Sequence, residues 1–183
     1  EGDWSALAFI LEAIILSDSA EVKIKGLHKK SWQGDAYVLK LYERLGLKHQ
    51  FCEDSLLLSK EEIKNSKDFD VNLKNQPDLA QAYCCTLAAK QINANVSGLK
   101  NLQFKESHRL RALQLELKKI GQHSEYSKDS FTLIESKIQP STEVFETHKD
   151  HRMAMCLAPL AMLFELGMKS TEVVNKSYPQ YWK

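Results

Sequence analysis

Apolar residues recur along this chain in two rhythms. Three stretches, residues 7–16, 79–89 and 153–166, are apolar almost all round. A helix without a polar face is buried on every side, so buried helices are predicted over 5–16, 78–90 and 150–167. Two further stretches carry apolar residues at spacings of three and four. They predict amphipathic helices over 36–45 and 108–120, each with one buried stripe. Gly46 and Gly121 follow as C-terminal caps. Short strands are predicted at 21–27 and 93–99, each ending in Gly-Leu. The paired runs 48–53 with 56–59, and 123–127 with 131–136, read as hairpins turning at Asp54-Ser55 and Asp129-Ser130. Strands are also predicted at 143–149 and 171–175.

The order of these elements repeats. A shift of 72 places Lys25-Gly26-Leu27 on Ser97-Gly98-Leu99. A shift of 75 places Val38, Tyr42, Leu45 and Gly46 on Leu113, Leu117, Ile120 and Gly121. The fold class is therefore α/β, a single domain over 1–183 built from βαβαββ units. The units span approximately 1–60, 68–137 and 143–183, and the third is incomplete. Three equivalent buried helices suggest a pseudo-threefold, parallel bundle with sheets outside. Each begins at an acidic residue, Asp3, Asp78 or Asp150, which reads as a helix N-cap. Parallel helices also gather their N-termini at one end, a face suited to anions.

Composition restricts what the chain can do. Its 183 residues are 43% hydrophobic and 27% charged, enough for a sizeable core. Lys plus Arg is 25 against 24 acidic residues, a net charge of +1. That balance gives no electrostatic footprint for nucleic acid or an anionic membrane surface. The longest apolar run, 6–16, is too short to span a bilayer, and no basic segment of a signal peptide precedes it. Cys52, Cys84, Cys85 and Cys156 have no metal-site spacing and read as buried thiols of a reducing cytoplasm. The chain opens on Glu1 rather than Met, so a fragment of something longer is expected.

Arginine is the sharpest chemical clue. Lysine is abundant, yet there are only four arginines, and three of them sit in two helix-start segments. These are Lys105-Glu106-Ser107-His108-Arg109, with Arg111 just beyond, and Asp150-His151-Arg152-Met153-Ala154-Met155. Arginine suits bidentate binding of carboxylate or phosphate, which marks Arg109 and Arg152 as anion ligands. Arg44 and Arg111 read as surface residues. Glu106, among cations, is either part of a solvated cluster or a tuned acid–base group. Asp78, after Pro77, is either a cap or a proton acceptor. Lys176 is by default a loop lysine. His148 and His151 have no companion ligands for a metal. There is no Gly-rich phosphate loop and no nucleophile elbow.

Six segments, taken in order along the chain, resemble a known family. They are Glu1-Gly2-Asp3, Gln33-Gly34-Asp35, Pro77-Asp78, Lys105-Glu106-Ser107-His108-Arg109, Asp150-His151-Arg152-Met153-Ala154-Met155 and Lys176-Ser177-Tyr178-Pro179. The chain resembles the C-terminal half of the EPSP synthase (3-phosphoshikimate 1-carboxyvinyltransferase) family. That resemblance implies an inside-out, enolpyruvyl transferase-like domain, with the site in a cleft shared with an N-terminal domain outside this chain. It implies transfer of the enolpyruvyl group of phosphoenolpyruvate to the 5-hydroxyl of shikimate 3-phosphate, a step of aromatic amino acid biosynthesis. Phosphate is released, and neither metal nor organic cofactor is needed. By the resemblance, Asp78 takes the hydroxyl proton and Glu106 is the acid–base group at the methylene. Asp78, Asn101 and Lys105 hold shikimate 3-phosphate, and Arg109, Arg152 and Lys176 hold phosphoenolpyruvate, with His151 beside them. Ser107-His108 departs from the family's commoner Thr or Ser followed by Asp. Two alternatives remain. The related UDP-N-acetylglucosamine enolpyruvyltransferase shares fold and donor but lacks this motif pair. A non-catalytic anion-binding domain would tolerate Glu106→Gln.

Overall fold

The computed structural model describes residues 2–62 and 69–182, so residues 1, 63–68 and 183, among them the expected unit boundaries at 1, 68 and 183, lie outside the described residues. The chain runs α1 (Trp4–Leu16), β1 (Glu21–Lys25), α2 (Val38–Glu43), β2 (Leu47–Phe51) and β3 (Ser55–Lys60). It continues with β4 (Val71–Asn72), α3 (Ala80–Ala89), β5 (Ala94–Ser97), α4 (Arg109–Lys119), β6 (Ser124–Tyr126) and β7 (Ser130–Leu133). It closes with β8 (Phe145–Glu146), α5 (His151–Leu157) and β9 (Met168–Lys169). Short 3-10 helices precede α2 and α3, and another, Lys100–Phe104, lies shortly before α4.

The uniformly apolar helices occupy the middle of the molecule. Every residue of α3 is buried, and α3 packs against both α1 and α5. Their starts meet at one end, where Arg152 acts electrostatically on Asp3, the cap of α1, and one of its N–H groups donates to the Asp78 carbonyl at 3.4 Å. The far ends of α1 and α3 also meet, since Asp18 and Lys90 border one surface hollow. The two helices therefore run in the same direction, as the repeat predicts. Gly46 and Gly121 take left-handed φ values of 91° and 85° after α2 and α4, closing those helices without Cβ strain.

The sheets lie outside the bundle, and their strand orders echo one another. The first is β1-β3-β2, antiparallel throughout; the second is β4-β5-β7-β6. Its β5-β7-β6 portion matches the first sheet, and β4 joins β5 in parallel. The third is the parallel pair β8-β9, which matches β4-β5. At the end of β5 the chain passes hard against the segment after β4. Gly98 has φ +79°, and a Cβ there would lie 2.3 Å from the backbone nitrogen of Lys74.

Several sequence expectations change. Residues 171–175 form a 3-10 helix, Thr171–Lys176, instead of a strand. Only Met168–Lys169 reach β8; Ser170 then turns left-handed at φ 58°. No further strand along 171–176 is available among the described residues, and Val174 is buried instead. The predicted strand 143–149 is confined to β8, because His148 (φ 52°) and Lys149 (φ 56°) make a left-handed turn. The third buried helix stops at Leu157, and a 3-10 turn holding Pro159 follows. Met162 and Leu163 are exposed. Cys52 is exposed, while Cys84, Cys85 and Cys156 are buried free thiols as expected.

One core residue is out of character. Glu12 on α1 is fully buried, and neither carboxyl oxygen has a hydrogen-bond partner. Burial first, and then neighbouring Cys156, push its carboxyl well above the usual range.

Candidate active site

The converging helix starts bring their polar residues together on one face. Arg109 opens α4, whose cap is His108, with Nδ1 accepting the Arg111 N–H at 3.3 Å. The Arg109 side chain is only 2% exposed, yet its fork meets three carboxylates. On the inner edge, Nε donates to Asp150 Oδ2 at 2.8 Å and Nη2 to Oδ1 at 3.3 Å. On the outer edge, Nη2 donates to Glu106 Oε2 at 2.7 Å and Nη1 to Asp78 Oδ1 at 3.0 Å. A buried guanidinium demands this much compensation, since an unpaired buried charge costs several kcal/mol. The edges differ in access. Asp150 is fully buried, while the Asp78 and Glu106 side chains are 27% and 46% exposed. An incoming anion can therefore compete for the outer edge while Asp150 keeps the inner one.

Asp150 does three things at once. It accepts the Arg152 backbone N–H at 2.9 Å, starting α5. It also holds Arg109, and it accepts the Ser107 hydroxyl at 3.0 Å. The sequence marks it only as a cap. Its second role is legible in retrospect, because a carboxylate opening a wholly buried helix needs a cation.

Asp78 is not a cap. It lies within the 3-10 turn Pro77–Leu79, and its side chain faces outward to cations. Lys105 Nζ lies 3.4 Å from Oδ1 and Arg152 Nη2 3.5 Å from Oδ2. Burial raises its pKa, but Arg152, Lys105 and Arg109 outweigh burial and hold the carboxyl below its ordinary value. His151, the first residue of α5, presents Nδ1 3.8 Å from Glu106 Oε1. Desolvation leads in holding its ring below the ordinary imidazole value, Asp150 opposes, and Arg152 adds to the lowering. His148 turns away and pairs through Nε2 with Glu116 at 2.7 Å, so the two histidines do not converge on one point.

A second tier surrounds the start of α1. Asp3 Oδ1 accepts the N–H groups of Ser5 at 2.8 Å and Ala6 at 3.2 Å. Gln33 clamps the same turn, donating to the Gly2 carbonyl at 2.8 Å and accepting the Trp4 N–H at 3.1 Å. Asp35 accepts the Ser5 hydroxyl. Burial, opposed by that bond, and then nearby Asp78 raise the Asp35 carboxyl. The structural duties of Gln33 and Asp35 are invisible in the sequence, where nothing ties Gln33-Gly34-Asp35 to a helix thirty residues earlier.

Asp78, Lys105, Glu106, Arg109, Arg152 and His151 thus come together. Asn101 does not reach them: it is exposed on the 3-10 helix Lys100–Phe104. Lys176 is likewise exposed, at the end of Thr171–Lys176. Among the described residues neither makes an ion pair or side-chain hydrogen bond to the cluster. Chemically, the cluster offers two accessible carboxylates flanking a fixed guanidinium, with a lysine and a second arginine beside them. That is equipment for moving protons next to a bound anion.

The family model for EPSP synthase (3-phosphoshikimate 1-carboxyvinyltransferase) matches residues 1–183. A 3-phosphoshikimate 1-carboxyvinyltransferase of Bacteroides fragilis is 34% identical over the whole chain, which covers 45% of that relative. One from Methanobrevibacter smithii is 32% identical over 99% of the chain and 40% of the relative. The chain thus spans less than half the length of these curated relatives. Among solved structures, EPSP synthase of Acinetobacter baumannii superposes with a TM-score of 0.74 at 18% identity, covering 97% of this chain and 43% of that one. An enolpyruvyl transferase of Streptomyces tendae superposes at 0.59 and 16% identity, covering 97% and 40%. At such identities the likeness is one of fold, and the fold is that of the enolpyruvyl transferases.

Proposed function

The chain belongs to the EPSP synthase (3-phosphoshikimate 1-carboxyvinyltransferase) family, and we propose from this that it supplies the C-terminal half of an active site. The reaction would transfer the enolpyruvyl group of phosphoenolpyruvate to the 5-hydroxyl of shikimate 3-phosphate and release phosphate. The observation that carries the reading is the outer edge of Arg109, where a buried guanidinium holds Asp78 and Glu106 side by side. In addition, Glu106 gives a proton to the methylene carbon while the hydroxyl oxygen bonds to the central carbon, and Asp78 takes the hydroxyl proton. In elimination, Glu106 recovers a proton from the new methyl group as the carbon–oxygen bond to phosphate breaks. These are proton transfers and exchanges at carbon–oxygen bonds, so acid–base groups and cations suffice.

Binding and basicity are coupled in this scheme. Without ligand, Asp78 is a weak base because three cations face it. Two anionic substrates would draw Lys105, Arg109 and Arg152 toward themselves. Asp78 then regains basicity in the complex that needs it. Arg109 and Arg152 would hold phosphoenolpyruvate together with Lys176. Lys105, Asn101 and Asp78 would hold shikimate 3-phosphate. The open face of the cluster supports a second wall contributed by the rest of the polypeptide. Four free thiols support a reducing cytoplasm as the setting. Among the described residues no helix is long and apolar enough to cross a membrane.

Phosphate release by the full-length protein, with both substrates supplied, is the test. Glu106→Gln is expected to lower kcat by about 10²-fold or more, the usual worth of a general acid–base group. Glu106→Gln turnover within a few-fold of the parent would sink the assignment.

A further inference from the structure

Tyr178 lies two residues beyond Lys176 and joins three separate parts of the molecule. Its hydroxyl donates to Asp3 Oδ2, while Asp3 Oδ1 caps α1. Its ring lies 6.0 Å from the His151 ring at the start of α5. Its backbone N–H donates to the Val174 carbonyl at 2.8 Å, closing the 3-10 helix that ends in Lys176. The far side of this segment is secured independently. The Tyr181 hydroxyl donates to the Met155 carbonyl at 2.8 Å, and the Trp182 indole N–H donates to the Thr171 carbonyl at 3.1 Å. Val174 is buried beneath. The base of the segment is therefore held by packing, and the turn that carries Lys176 is fixed to the site through Tyr178.

We infer that Tyr178 is a positioning residue: its bond to the α1 cap carboxylate holds the turn at residues 175–178 so that Lys176 is preset for the phosphoenolpyruvate anion. The inference rests on the functional reading above, in which Lys176 engages that donor. The chemistry suits the role. Asp3 spends one oxygen on two backbone N–H groups and keeps the other for the phenol, so the carboxylate is satisfied and rigid. Burial, and then the Asp3 carboxylate, push the Tyr178 phenol up to about 12, so it remains a donor at every physiological pH. A lysine on an unfixed turn would lose that freedom each time it bound an anion. A fixed one has already lost it on folding. A phenylalanine would fill the same space beside His151 without reaching Asp3.

The test uses the full-length protein and Tyr178→Phe, which removes one oxygen from a half-buried ring and so spares the fold. Loss of a hydrogen bond to a charged partner is expected to raise KM for phosphoenolpyruvate about tenfold. KM for shikimate 3-phosphate should stay within about twofold. Backbone amide exchange over residues 174–178 of the ligand-free protein should quicken, while exchange in α1 and α3 stays unchanged. An unaltered KM for phosphoenolpyruvate, or an equal rise for both substrates, overturns the inference. So does unchanged exchange over 174–178. If the parent protein turned over neither substrate, the functional reading would be the one to fail. The exchange comparison would still decide whether Tyr178 fixes the turn.

Discussion

Glu12 shows what a single ionisable group does inside an apolar bundle. An unfolded chain would release its proton near the ordinary carboxyl value of 4.5, whereas the folded chain keeps it well above that. Between those two values the folded state binds the extra proton. Stability must then fall as pH rises through the window, by about 1.4 kcal/mol per pH unit for one group. Glu12→Met, similar in length, removes both the proton linkage and two unsatisfied oxygens. It should gain about 1–3 kcal/mol at pH 7, with a flatter dependence of urea midpoint on pH above the ordinary carboxyl value of 4.5. An identical slope in parent and variant would exclude Glu12 as its source. Nothing in the sequence distinguishes Glu12 from a glutamate facing water, because helix periodicity cannot mark a polar face on a helix buried all round. The site residues were more legible. Scarce arginines in a lysine-rich chain singled out Arg109 and Arg152, and the structure joins both to Asp78. Asp78 is only half legible, since Pro77-Asp78 marks a helix start equally well for a cap or for a side chain facing outward.

At the level of elements, the legible parts were those fixed by local chemistry. Asp3 and Asp150 cap their helices through extended backbone, as an acidic residue before an apolar run suggests. The strand expected at 171–175 is instead part of the 3-10 helix Thr171–Lys176, because β-branched Thr171, Val173 and Val174 favour a strand only where a neighbouring strand exists. Sequence spacing does not say that β8 is two residues long. The join between β4 and β5 depends instead on close approach. Gly98→Ala would strain the left-handed backbone and drive a methyl group against Lys74. The loss should reach at least about 2 kcal/mol, read as a lower urea midpoint. A variant as stable as the parent would show that the segment after β4 moves aside freely.

On the scale of the whole molecule, charge decides what this chain can do by itself. The converging helix starts bring Lys105, Arg109 and Arg152 together, but also Asp3, Asp35, Asp78, Glu106 and Asp150. Carboxylates outnumber cations, so the two anionic substrates proposed above would meet a face that does not attract them strongly. The chain alone is expected to release no phosphate from phosphoenolpyruvate and shikimate 3-phosphate, and turnover should appear when the rest of the polypeptide is present. Measurable turnover by the chain alone would remove the shared cleft from the reading. The first sheet has a practical consequence of its own. In the second sheet, β5 is flanked on its outer side by β4, while its counterpart β1 has no strand on that side among the described residues. When this chain is prepared by itself, an open strand edge is a template on which a second copy can add itself. Glu21, Lys23 and Lys25 lie exposed along that edge, and their charges discourage such stacking. In concentrated preparations of this chain by itself, solubility should therefore depend on β1: neutralising its lysines would invite filaments, and crowding the sample at high salt would weaken the safeguard.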